Sequence, residues 1–104
     1  MSEERFESLL TNAELSVLKE RSRQKTEEGW SEGHDDKHDL GQLAFAAACY
    51  ALSGAGVTGG HPAQIEFWPW EDDWWRPSTA RRDLVKAAAL LLAEIERLDR
   101  SLKS

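Results

Sequence analysis

The chain has 104 residues, 40% of them hydrophobic and 31% charged, with 13 basic and 19 acidic side chains giving a formal charge of −6. That composition is too apolar for a disordered chain, and no apolar run approaches the roughly 20 residues that span a bilayer. The acidic balance argues against duplex nucleic acid as a partner of the whole surface, because counterion release needs clustered cations.

The first ten residues, MSEERFESLL, are acidic and lack the basic and apolar regions of a secretory signal, which predicts a cytoplasmic protein. The single Cys49 agrees with this: it cannot form an internal disulfide and lies in the small-residue run LAFAAACYAL, where a thiol acts as a small hydrophobe. The length predicts one helical domain over 1–104.

Thr11 and Glu14 form a capping-box pattern ahead of LSVLKERSRQKTEE, predicting a first helix with Leu15, Leu18 and Val17 as its inner face and Gly29 as its stop. Next comes HDDKH, His34 to His38, which has the form of a zincin motif with Asp in place of Glu. Asp is one methylene shorter than the Glu that must reach a metal-bound water. The only later ligand motif is His61, so the segment reads as a polar helix entry and no metal is expected.

A second helix follows in DLGQLAFAAACYALSG, where Leu40, Leu43, Ala47, Tyr50 and Ala51 share a face. Asp39 and Gln42 offer a capping box, an earlier start near Ser31 is open, and Gly54 can end the helix. The stretch SGAGVTGGHPAQIEFWPWEDDWWRP then reads as a loop of about 25 residues, beyond the usual limit for structureless connections and so a candidate for function. It ends by placing four of the five tryptophans, Trp68, Trp70, Trp74 and Trp75, around the acids Glu71, Asp72 and Asp73.

The last helix is predicted over about 79 to 101. Leu84, Ala88, Leu91, Ile95, Leu98 and Leu102 recur at spacings of four and three, one apolar stripe expected to form core, and Ser78 or Thr79 can cap it. The architecture predicted is mainly α, three or four helices with a long Gly- and Trp-rich loop before the last. The stripe and the Ala-rich helix together exceed what three short helices cover, which favours a homodimer.

Arg81 and Arg82 fall in the first turn of the last helix, where the dipole disfavours cations. Either an anion near Ser78, Arg76, Arg81 and Arg82 offsets this, or Glu71, Asp72 and Asp73 do. With an anion there, tryptophans close by can stack on a base. The expected ligand site is therefore Trp70, Trp74, Trp75, Arg76, Ser78, Arg81 and Arg82, with no catalytic residue and no cofactor.

The blocks EEGWSEGHDDKHDLGQLAFAAACYAL, FWPWEDDWWRP and RRDLVKAAALLLAEIERLDR resemble a family of small tailed-phage and prophage proteins. That resemblance implies a phage accessory protein in the host bacterial cytoplasm. EEGWSEGHDDKH followed by WPW also resembles the ryanodine-receptor-type repeat, a small helical module linked to adenine-nucleotide recognition through tryptophan, and this implies Trp30 as a further stacking residue.

The expectation is a non-catalytic binder of a small anionic nucleotide-type ligand, a sponge for a host immune signal. An alternative is an acidic inhibitor of a nucleic-acid-binding defence protein such as a CRISPR effector. A third reading, a metal-dependent nucleotide hydrolase, rests on EERFE at 3–7 and ERLD at 96–99.

Overall fold

The computed structural model describes residues 8–57 and 67–102 of the chain. The chain is mainly helical: α1 spans Asn12–Thr26, α2 Glu32–Asp36, α3 Gln42–Gly54 and α4 Ala80–Leu102, with a 3-10 turn at Asp72–Trp74 before α4. No strand occurs among the described residues. None of the described helices is long and apolar enough to cross a membrane. His61, residues 58–66 of the glycine-rich loop and the acidic motif at 3–7 lie outside the described residues.

The capping box of α1 forms as its sequence predicts, with Thr11 Oγ1 accepting the Glu14 N–H at 3.1 Å and Glu14 Oε1 accepting the Thr11 N–H at 2.8 Å. The helix ends at Thr26, and Gly29, with φ 72°, turns the chain back so that the Trp30 N–H reaches the Gln24 carbonyl at 3.0 Å.

The inner face of α1 is not the predicted one. Leu18 is 45% exposed and Leu15 and Val17 are half-buried, while Glu20, Arg21 and Gln24 are buried. The reason is polar docking on α4. Arg21 Nε donates to Glu96 at 2.9 Å, Arg81 donates to Ser16 Oγ at 3.1 Å, and Arg82 pairs with Glu20.

Ser31 caps α2 by accepting the His34 N–H, and a break then separates α2 from α3. Gly41, at φ 84°, is the N-cap of α3 and makes no side-chain cap bond. The Asp39–Gln42 capping box is thus replaced: the Gln42 side chain accepts the Leu40 N–H at 2.7 Å instead. Leu40 lies before the helix and is 78% exposed, so the buried face of α3 is Leu43, Ala46, Ala47, Cys49 and Tyr50.

That face packs on Ala87, Leu90 and Ala93 of α4 in the main core cluster. Small side chains on both helices allow the axes to close up. At the far end, a Cβ on Gly54 would stand 2.8 Å from Leu84 Cγ and 3.1 Å from the Ala80 carbonyl, so only glycine fits.

The register of α4 corrects the expected core stripe. Leu84, Leu91, Ile95, Leu98 and Leu102 are all exposed, Leu102 at 83%, and the buried residues are Asp83, Val85, Ala87, Ala89, Leu90, Ala93 and Glu94. α4 lies between α1 and α3 and gives them its small and polar residues, because those permit close helix approach and cross-helix ion pairs.

Candidate functional site

The tryptophans divide into two groups. Trp68 is buried at 7% exposure, donates its indole N–H to the Glu71 carbonyl at 3.1 Å and meets Tyr50 edge-on at 5.7 Å. Trp75 packs on the same two rings, 4.8 Å from Tyr50 and 4.9 Å from Trp68. Tyr50 secures this layer by accepting the Arg76 N–H at 3.2 Å, which ties the tryptophan segment to α3. Burial raises the Tyr50 phenol above its usual range, so the hydroxyl stays protonated.

Trp30, Trp70 and Trp74 instead wall a cleft of about 590 Å³ together with His34, His38, Pro69 and Glu71. Trp30 stacks on His34 with ring planes 7° apart and centroids 5.4 Å apart, and tilts against Trp70 at 6.1 Å. His38 meets Trp70 edge-on at 5.4 Å and His34 at 4.9 Å.

His34 is fixed from behind. Its Nδ1 lies 3.0 Å from Asp35 Oδ1, and Asp35, fully buried, accepts from Arg21 at 2.8 Å through its other oxygen. This contact orients the His34 ring with its Nδ1 toward Asp35. Burial, reinforced by neighbouring His34, holds His38 below the usual histidine range.

Beneath the cleft lies a small cavity of about 60 Å³ whose lining includes Trp30, Trp70, Trp74, Gln24, Arg76 and Lys86. Two buried polar atoms of this lining, Gln24 Oε1 and Trp70 Nε1, have no hydrogen-bond partner among the described residues. The amide orientation of Gln24 is set by its Nε2, which donates to the Glu20 carboxylate at 3.3 Å. An unpartnered acceptor and an unpartnered donor therefore belong to the lining of one small cavity, each carrying a desolvation cost of about 1–3 kcal/mol.

Arg76 adds a cation beside the cleft, its guanidinium 5.8 Å from the Trp74 ring. Its Nε donates to the Asp73 carbonyl, and its own carbonyl accepts from Lys86 Nζ at 2.7 Å. Burial, with Arg82 nearby, lowers the Lys86 pKa from the usual lysine range.

Arg81 and Arg82 are not brought to the tryptophans. They line a second, basic cleft of about 350 Å³ between α1 and α4, with Ser16, Lys19, Glu20 and Arg23. Their partners are on α1, and neither Glu71, Asp72 nor Asp73 supplies them.

Glu20 is buried, which by itself would raise its pKa, but Arg23 and Arg82 overcome this and hold it below the usual carboxylate range. The helix entry is likewise provided with its own acceptors. Thr79 Oγ1 accepts the Arg82 N–H, and the buried Asp83 accepts the Ser78 N–H at 2.8 Å and the Ser53 hydroxyl at 2.9 Å.

Of the residues singled out in the sequence, Trp30, Trp70 and Trp74 thus share one cleft with Arg76 beside it. Trp75 belongs to the packed layer and Ser78, Arg81 and Arg82 to the α4 entry. His34 and His38 line the cleft, and Gln24 lines the cavity beneath it. Nothing in the sequence marks Gln24 for this place, since it lies in the polar last turn of α1. Among the described residues no three His, Cys, Asp or Glu side chains converge to hold a metal ion. Comparisons with protein-family models, with curated proteins and with solved structures each return no match.

Proposed function

We propose that the chain is a non-catalytic binding module that captures a small nucleotide-type ligand, with the base in the cleft walled by Trp30, Trp70 and Trp74. The observation that carries this reading is the cleft of about 590 Å³ walled by Trp30, Trp70 and Trp74, in which the Trp70 indole N–H has no hydrogen-bond partner among the described residues. A purely apolar guest would leave that N–H unsatisfied. A heterocycle with a ring acceptor offers it a partner while its faces stack on indole, and such stacking is worth about 1–3 kcal/mol per base.

The phosphate of such a ligand has Arg76 as its nearest cationic partner beside Trp74, with the His34 and His38 rings along the cleft wall. In the setting implied by the phage-family resemblance, a module of this kind sequesters a nucleotide signal of host immunity, and capture alone serves that role.

Titration of a panel of linear and cyclic nucleotides, followed by quenching of tryptophan emission, tests the reading. At least one nucleotide is expected to bind and to lose affinity in a Trp30→Ala chain that still folds. If every nucleotide fails while the wild-type chain inhibits a nucleic-acid-binding defence protein in a purified assay, the sponge is refuted. The exposed acids Glu71, Asp72 and Asp73, of which Glu71 lines the cleft, would then become the natural contact surface.

A further inference from the structure

α4 is a helix of 23 residues, about 34 Å long, with an apolar stripe that the chain itself leaves open. Leu84, Leu91, Ile95 and Leu98 are each about half exposed and Leu102 is 83% exposed. The 4-3-4-3-4 spacing of Leu84, Ala88, Leu91, Ile95, Leu98 and Leu102 averages 3.6 residues, the α-helical period, so the six form one continuous seam along a single face of α4. The seam continues sideways into an apolar groove against α1, where Leu10, Val17 and Leu18 face Ala88, Leu91 and Leu92.

We infer that a second copy of this chain docks on this face, the two α4 helices running antiparallel about a two-fold axis near residue 93. The choice of a second copy rests on the seam matching its own reverse. In the antiparallel arrangement Leu84 of one copy meets Leu102 of the other, Ala88 meets Leu98, and Leu91 meets Ile95, so each small position faces a large one. A parallel pair would set Ala88 against Ala88 and leave that layer under-filled. Such an isologous contact closes on itself and leaves no open end.

Charge favours the same arrangement. Arg81 and Asp99 lie on one flank of the seam at opposite ends of α4, separated by 18 positions or five helical turns. Antiparallel pairing brings the exposed Arg81 of each copy toward the exposed Asp99 of the other and opposes the helix dipoles, whereas parallel pairing juxtaposes like with like. Lys86 and Leu90, which border the cavity below the tryptophan cleft, lie on the opposite side of α4, so pairing leaves the ligand site open and does not depend on the ligand reading.

Sedimentation equilibrium of the full chain from 1 to 200 µM, on the order of the range where such contacts form, is expected to fit a dimer. A Leu91→Lys, Ile95→Lys chain, with helical circular dichroism retained, is expected to sediment as a monomer. Orientation is read by nitroxides on Ala80→Cys in a Cys49→Ala background. Antiparallel α4 helices separate the two labels by roughly 40 Å, and parallel helices hold them within roughly 15 Å. A wild-type chain that stays monomeric at 200 µM, a charged double variant that still dimerises, or a short label distance each overturns the proposal.

Discussion

Leu90 and Leu91 are consecutive in the chain and lie on opposite sides of α4: Leu90 is 2% exposed within the core cluster, and Leu91 is 46% exposed on the open stripe. In chains dilute enough to be monomeric, Leu90→Ala should therefore destabilise by about 2–5 kcal/mol, the range for buried aliphatic truncations. Leu91→Ala should cost less than about 1 kcal/mol under the same conditions. Urea melts of both variants at low protein concentration check this, and equal losses would show that the register of α4 is wrong.

The separation of the two clefts makes the arginines diagnostic. Trp70→Ala should weaken nucleotide capture by about 1–3 kcal/mol, roughly five- to 150-fold, through the lost stacking face. Arg81→Ala should leave capture unchanged, because Arg81 reaches Ser16 and lines the other cleft. Isothermal titration of both variants with the tightest nucleotide of the panel decides it, and a large loss in Arg81→Ala would place the phosphate at the α4 entry instead.

Arg21 joins α1, α2 and α4, because it binds Asp35 at 2.8 Å and Glu96 at 2.9 Å while nearly excluded from water. Removing it leaves Asp35 as a buried, uncompensated carboxylate. Arg21→Ala should lose about 3–5 kcal/mol, and pairing it with Asp35→Asn should restore part of that loss. A double-mutant cycle by chemical denaturation measures the coupling.

His38 gives the fold a pH dependence with a defined sign. Its folded pKa is lowered by burial and by His34, so between the folded value and the unfolded 6.5 the unfolded chain binds more protons. The stability it contributes is fully present above pH 6.5 and is lost as the pH falls through its folded pKa. His38→Asn should flatten the stability profile just below pH 6.5, as read from thermal melts at a series of pH values. A wild-type profile that rises as pH falls through this window would contradict the geometry.

Local signals in the sequence determined where the helices run. The Thr11–Glu14 box, the Gly54 end of α3 and the Thr79 entry of α4 depend on residues within a turn of each other, so chain order suffices to read them. The grouping of Trp30 with Trp70 was available only through a resemblance, since 40 positions separate them. Which face of α4 is buried, which tryptophans pack on Tyr50, and that Arg82 pairs with Glu20 rather than with the nearby acids were decided by tertiary structure alone. The periodicity of α4 marks an apolar face without saying what covers it. Alanine spacing let α3 approach one side, and ion pairs drew α1 to another, leaving the most hydrophobic stripe open. Packing is chosen by the fit of whole surfaces that meet across the fold, and hydrophobicity counted along one helix does not contain that fit.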